Sequence, residues 1–353
     1  LEDKLHAAPF IPLNFEVGLI EDEPGGGDET GTGTNTDSQD HGRTWARLSL
    51  RSLLPPRGHF VLTSGVGMGK STFVQWLAAE LVQRTSGVPI VMDCESLERI
   101  NPNSLDDLIG AFCDRHSDEF LRVDLEDSFA EARHNGRLVL IFDGLDQIAG
   151  QHPSKLARRI MNDIAGSHPV LIASRPSALL AVQSDPRLSF LRLQPFSFED
   201  QRRYFGQHYR TAAVCCAQAP DLTQIPMLAY MVRELIRSGQ LRHAGTRTDL
   251  YREFVRHVLT RHESNAPLQD RPGLIQKVER ALMQLSFDAL AAADPHLQRV
   301  PISTYAEDTG VLLQDLIAFG LINRILGRGE ESLFFTHQSF QEYLAARHAA
   351  SRP

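Results

Sequence analysis

The stretch HFVLTSGVGMGKST, residues 59–72, decides the fold. A short apolar run, 59–64, gives way to a glycine-rich turn. A helical spacing follows, with Phe73, Leu77 and Leu81 at every fourth position. Strand, tight turn and helix in that order, with Gly69-Lys70-Ser71 at the turn, follow the phosphate-loop pattern G-x-x-x-x-G-K-[ST]. Ser64 stands where the pattern has its first glycine, and a small residue there still lets the strand exit. The chemistry needs backbone N–H groups turned inward around phosphate oxygens, conformations that Gly65, Gly67 and Gly69 enter without penalty. The helix that begins after Gly69 turns its positive end toward the same anion. Lys70 can reach the β- and γ-phosphates, and the Ser71 hydroxyl can ligate Mg²⁺. Thr72 closes the segment and is read with them as lining the cradle.

Four more apolar runs follow: PIVMDC (89–94), RLVLIFD (137–143), PVLIAS (169–174) and LSFLRLQ (188–194). Each is short, rich in Val, Ile, Leu or Phe, and separated from the next by helical patterns. Continuous apolar strands of this kind are buried on both faces of a parallel sheet. The expectation is an α/β fold, a P-loop NTPase parallel sheet. RLVLIFDGLDQ ends its strand in Asp143, a carboxylate suited to organising Mg²⁺. Gly144 follows, and Asp146 is the next acid able to orient an attacking water; Gln147 can position water but is a poor base. Both aspartates also suit turn caps. PIVMDC lies between the phosphate-loop and acidic strands, which predicts that those two are not sheet neighbours and gives the order 5-1-4-3-2. Arg175, at the tip of the fourth strand, can touch a γ-phosphate or stand as a surface residue before a proline turn.

After residue 196 the strand rhythm stops. FSFEDQRRYFGQHY, MLAYMVRELIRSG, LYREFVRHVLTRH, LIQKVERALMQLSFDALA and VLLQDLIAFG read as helices. LINRIL and SLFFTH flank the turn GRGE and read as a small hairpin, with a last helix in SFQEYLAARHAA. Helices with a late hairpin give the order of a winged helix. Pro226 opens a helix, an ordinary structural use of proline. His337, between strand and helix, reads locally as a capping or packed residue before it reads as a ligand. The domain reading is an N-terminal arm (1–21, with Phe10-Ile11-Pro12-Leu13 as a strand or docking arm) and a Gly/Thr/Asp-rich linker (22–43). A nucleotide-binding domain (44–196), a helical subdomain (197–240) and a winged-helix domain (241–353) follow.

Composition bounds the function. The 353 residues are 42% hydrophobic, enough for two or three domains with real cores. The net charge is -8, but residues 1–40 hold ten acids against Lys4, so the remainder stands at +1. A near-neutral body argues against broad nucleic-acid or anionic-membrane binding. The four cysteines (Cys94, Cys113, Cys215, Cys216) lack zinc spacing and are too few for a disulfide framework, which fits reduced thiols in the cytoplasm. No apolar run approaches the roughly 18 residues of a membrane span. The chain opens on Leu1 rather than Met and stops soon after an apolar helix, which reads as a piece of a longer protein.

Together these motifs resemble the NACHT family of STAND NTPases, the switch ATPases of animal NOD-like receptors and of many bacterial defence proteins. The resemblance runs over about 59–350 and rests on seven segments in order: SGVGMGKST, LVLIFDGLDQ, LIASRP, LQPFSFEDQRRYF, IPMLAYMV, TDLYREFV and FTHQSFQEYLAARH. Ser64 and Gln147 depart from it, the latter where the family often has a second acid. The resemblance implies ATP/ADP and Mg²⁺ as ligands. It implies phosphate and metal roles for Lys70, Ser71 and Asp143, a hydrolytic role for Asp146 and γ-phosphate sensing by Arg175. It implies packing of Pro226 on adenine and a hold by His337 on the β-phosphate of ADP in a closed state. It further implies slow hydrolysis, self-oligomerisation on activation, an unknown trigger ligand, and effector and sensor modules flanking this core. Two other readings stand beside it. One is a DNA-linked ATPase using the winged helix, although residues 240–353 balance thirteen Lys/Arg with thirteen Asp/Glu. The other is a nucleotide-binding scaffold without turnover.

Overall fold

The computed structural model describes residues 15–20, 43–48, 58–116, 119–148, 152–179, 185–241, 243–260, 273–292, 316–317, 320–326 and 331–351. The chain divides into two units, one running from Pro12 to Pro195 and the other containing Phe196–Pro353.

The first unit is built on one sheet of β1 (Phe15–Ile20), β2 (Arg43–Leu48), β3 (His59–Thr63), β4 (Val88–Asp93), β5 (Leu138–Asp143), β6 (Val170–Ser174) and β7 (Leu188–Leu193). The spatial order is β2-β1-β7-β3-β6-β5-β4. β3 to β7 are mutually parallel, so the parallel strands read 5-1-4-3-2 from one edge and 2-3-4-1-5 from the other. β6 therefore separates β3 from β5. The central strands bury both faces, as their unbroken apolar runs require: all five residues of β6 and five of the six in β5 are buried.

Helices cover the sheet. α1 (Lys70–Arg84) buries Phe73, Val74, Leu77 and Leu81 and packs on β4, β5 and β6. α2 (Cys94–Ile100) starts where the Asp93 carboxylate accepts the Ser96 N–H at 2.7 Å, an N-cap. α3 (Leu105–His116), α4 (Glu119–His134) and α5 (His152–Arg159) follow. α5 runs into a π turn, Ile160–Ile164, in which Ala165 N–H reaches the Ile160 carbonyl at 2.8 Å. Leu97, Leu108, Leu140, Phe142, Ile160 and Ile172 share one core cluster. Phe142 is fully buried there, and truncating such a ring costs about 3–5 kcal/mol.

The N-terminal reading needs correction. Residues 15–20 fall in the expected arm, yet they form β1, antiparallel to β7 with Phe15 opposite Leu193, and β2 adds antiparallel outside it. The stretch 10–13 and residues 22–42 lie outside the described residues. Arg43, placed in the linker by the sequence, begins β2.

The second unit is helical with one hairpin. α6 (Phe198–Phe205) opens on a capping box: Ser197 Oγ accepts the Asp200 N–H, and the Asp200 carboxylate accepts the Ser197 N–H. α7 (Tyr209–Cys215), α8 (Asp221–Gln224) and α9 (Pro226–Arg237) follow, with Pro226 in the first turn of α9, where its missing N–H costs nothing. α10 (Arg247–Thr260) and α11 (Leu274–Ala291) come next. β8 (Ile322–Leu326) pairs antiparallel with β9 (Glu331–Phe335), and α12 (Gln338–Ser351) packs along α11. Most of VLLQDLIAFG, and the 327–330 turn, lie outside the described residues. Among the described residues, no helix is long and apolar enough to cross a membrane.

Candidate functional site

The carboxyl ends of β3, β5 and β6 carry the chemistry, because a parallel sheet gathers its strand tips at one edge. Beyond β3, the loop from buried Ser64 to Lys70 turns through Gly67 at φ 75° and Gly69 at φ 83°. Both lie in the left-handed region, where a Cβ is costly, so the glycines are needed for the path and not merely tolerated. Gly65 does not take a positive φ. The Lys70 ammonium folds back over this loop, donating to the Ser64 carbonyl at 2.9 Å and the Gly65 carbonyl at 3.4 Å. Ser71 and Thr72 are exposed in the first turn of α1.

Across the site, Asp143 ends β5, with the Ser71 hydroxyl close enough to act on its carboxyl. Burial pushes the Asp143 carboxyl above its ordinary range; the Ser71 hydroxyl and the Lys70 ammonium pull it back in part. Burial likewise lowers Lys70, Asp146 and Asp143 raise it, and Arg175 adds to the lowering. The next turn is set by Gly144 at φ 78°, whose N–H donates to the Ala173 carbonyl of β6 at 3.1 Å. It delivers Asp146 to Arg175. Asp146 Oδ1 accepts the Arg175 backbone N–H at 3.0 Å, and Oδ2 lies 2.9 Å from Arg175 Nε. Gln147 is exposed, its side-chain amide lying over Gly144.

The structure thus brings together Ser64, Gly65, Gly67, Gly69, Lys70, Ser71, Asp143, Asp146 and Arg175 in the first unit. Pro226 and His337 lie in the second unit, near each other: Ser339 Oγ, two residues from His337, lies 3.4 Å from Sδ of Met227, the neighbour of Pro226. Among the described residues there is no cluster of three or more His, Cys, Asp or Glu able to hold a metal. A Mg²⁺ carried on a nucleotide does not require one, since phosphate and water oxygens fill most of its shell. The adjacent Ser71 and Asp143 oxygens have the hard-donor chemistry that ion takes. The four cysteines are buried and are not joined in disulfides.

The model of the NACHT domain family matches residues 28–212, more than half of the chain. The chain belongs to the NACHT family. As a NACHT protein it is a P-loop NTPase, a family that binds nucleotides. Similar solved structures include a signal transduction ATPase with numerous domains (STAND) carrying a tetratricopeptide repeat sensor, from Pyrococcus horikoshii. It is 14% identical with a TM-score of 0.44, over 86% of this chain and 45% of that one, so the NACHT chain spans less than half of that protein. The Orc1 protein of Aeropyrum pernix, solved in complex with DNA, is 13% identical with a TM-score of 0.35, over 83% and 88% of the two chains. Cdc6p of Pyrobaculum aerophilum is 13% identical with a TM-score of 0.30, over 85% and 91%. No curated protein matches the NACHT chain.

The pairing of Asp146 with Arg175 was not read from the sequence. Twenty-nine residues separate the two, and no local pattern links them. Ser339 was missed as well, although its position two residues beyond a strand-to-helix histidine is a capping signal.

Proposed function

We propose that this chain is an ATP/ADP-binding signalling switch with slow Mg²⁺-dependent hydrolysis. The observation that carries the reading is the convergence of Lys70, Ser71 and Asp143 at one sheet edge, with the Asp146–Arg175 pair beside them. In the proposal, Ser64, Gly65, Gly67, Gly69 and Thr72 line the phosphates, Lys70 neutralises them, and Ser71 and Asp143 hold Mg²⁺. Asp146 orients the attacking water once Arg175 leaves it for the γ-phosphate. Pro226 packs on the base, and His337 donates to the ADP β-phosphate in a closed state. The β8–β9 hairpin between α11 and α12 supports a winged-helix reading of the C-terminal part. ADP closes the molecule, exchange for ATP opens it, and the open form self-associates, the energy coming from differential affinity for the two states. NACHT membership supports this cycle in a cytoplasmic defence role, with trigger and output supplied by flanking modules.

A second reading, nucleotide binding without turnover, is favoured by one observation: both Asp146 oxygens are committed to Arg175, and Gln147 is no base. Denaturing the purified protein and identifying the released nucleotide by chromatography tests the first claim. Released ADP supports the switch; no nucleotide, with no Mg-ATP binding on titration, overturns it. Phosphate release over hours separates the two readings, because a scaffold releases none. Unchanged release in Asp146→Asn would remove Asp146 from catalysis.

A further inference from the structure

In the second unit a small polar network surrounds His337, which sits between β9 and α12. The Phe340 N–H donates to the His337 carbonyl at 3.0 Å, and the Ser339 N–H donates to His337 Nδ1 at 3.1 Å. A backbone amide can only donate. Nδ1 is therefore the lone-pair nitrogen of the ring, and in the neutral imidazole the proton sits on Nε2. The Ser339 hydroxyl reinforces this from 2.7 Å away, since Oγ–H to an imidazole nitrogen is a far better bond than Oγ–H to a thioether. The same buried Oγ lies 3.4 Å from Met227 Sδ, at the proline-led start of α9, and is close enough to the Tyr251 hydroxyl of α10 to offset part of the rise that burial gives it. Tyr251 is itself held by stacking on Tyr343 at 5.4 Å and by an edge contact to Phe340 at 5.6 Å.

We propose that Ser339 is the positioning residue of His337, fixing its imidazole in the Nε2–H form as a donor to phosphate and tying it through Met227 to the helix that Pro226 begins and through Tyr251 to α10. The proposal rests on the reading of His337 as a contact to the ADP phosphate. Phosphate oxygens accept, so a neutral histidine serves only if its N–H faces them. The other tautomer would set N–H against the Ser339 N–H and turn a lone pair toward the anion. A helix cap alone needs only the backbone N–H and Nδ1. The hydroxyl that also reaches Met227 and Tyr251 is more than a cap requires, and it links the phosphate-directed ring to the base-directed end of α9.

The test uses the full chain, labelled with ¹⁵N at histidine, with the His337 ring signal assigned by its loss in His337→Gln. Long-range nitrogen–proton correlations give the tautomer, and release of a fluorescent ADP gives the dissociation rate. The expected results are an Nε2–H ring in the native chain, and in Ser339→Ala a shift toward mixed tautomers with release faster by about tenfold, the worth of one good hydrogen bond. Tyr251→Phe should move both readouts in the same direction and by less, Ser339→Thr should restore both, and His337→Gln, which keeps a donor near Nε2, should release more slowly than His337→Ala. An Nδ1–H ring in the native chain overturns the proposal. So does faster release in His337→Ala with ring signal and release unchanged in Ser339→Ala and Tyr251→Phe; there the phosphate role of His337 survives and the positioning does not. Unchanged release in His337→Ala overturns the phosphate role and the proposal with it. Tyr251→Phe removes one oxygen only and carries the test if Ser339→Ala fails to fold.

Discussion

Asp146 gives both of its carboxylate oxygens to Arg175, one to the backbone N–H at 3.0 Å and one to Nε at 2.9 Å. The bond ties the turn after β5 to the tip of β6, so a change at Arg175 is felt at Asp146. The Asp146 side chain is 10% exposed and that of Arg175 28%, which puts the pair between a surface bridge and a buried one. A double-mutant cycle on Asp146→Asn and Arg175→Met should give a coupling of about 1–2 kcal/mol. Trp45 and Trp76 are the only tryptophans and both lie in the first unit, so urea unfolding followed by their fluorescence reads that unit alone. Additive effects of the two substitutions would make the pair incidental.

Lys70 should dominate nucleotide affinity. Its ammonium rests on two loop carbonyls, the position from which it can turn to a phosphate. Lys70→Ala removes a charge-assisted bond in a partly buried site, and binding of Mg-ATP should weaken by about a hundredfold or more. Equilibrium titration with a fluorescent ATP measures this, and native affinity in the variant would show that the loop is not the phosphate site.

Asp143 sets a trade between stability and metal binding. Burial raises its carboxyl, so the folded state holds that proton to higher pH than the unfolded chain does. Stability from this group is therefore lost as pH rises from the unfolded value, about 4, through the raised folded value, and the cost stays constant above it. Asp143→Asn lacks the cost. The variant should be more stable than the native protein at neutral pH, the gain should vanish in acid, and Mg²⁺-dependent nucleotide binding should be lost. Burial lowers His59, His116 and His168, so both proteins lose stability together below about pH 6.5, and the difference between them isolates Asp143. A variant less stable than the native chain at pH 7 would contradict the burial argument.

The five parallel strands were legible because a strand buried on both faces must be apolar without a break, as LVLIF and VLIAS are. β1 and β2 were not. FEVGLI and RTWARL mix Glu16, Arg43 and Arg47 with apolar residues, as strands outside the buried centre of a sheet can, and short mixed runs beside a Gly/Thr/Asp-rich stretch resemble a loop. At the site, residues fixed by backbone geometry could be read from spacing: Gly67 and Gly69 need a positive φ, and Lys70 and Ser71 follow from the turn. Contacts made between strand tips or across helices left no local trace, so Asp146–Arg175 and Ser339–Met227 appeared only when the chain was folded.

Gly144 offers the sharpest test of how the turn after β5 is built. Its φ of 78° belongs to the left-handed region, and a Cβ there would lie 3.0 Å from Cδ and Oε1 of Gln147. The Gln147 side chain can swing away, because it is exposed, but the backbone strain stays. Gly144→Ala should therefore destabilise the first unit by about 1–2 kcal/mol. Relaxation of φ would also pull on the Gly144 N–H bond to Ala173 and rotate Asp146 away from Arg175. Asp143→Asn and Gly144→Ala thus move stability in opposite directions at neutral pH while both weaken Mg²⁺-dependent nucleotide binding. Tryptophan-monitored urea unfolding of the two variants, beside titration with Mg-ATP, reads both effects. A Gly144→Ala protein with native stability would mean that this turn adopts a negative φ in solution and that a left-handed Gly144 does not aim Asp146 at Arg175.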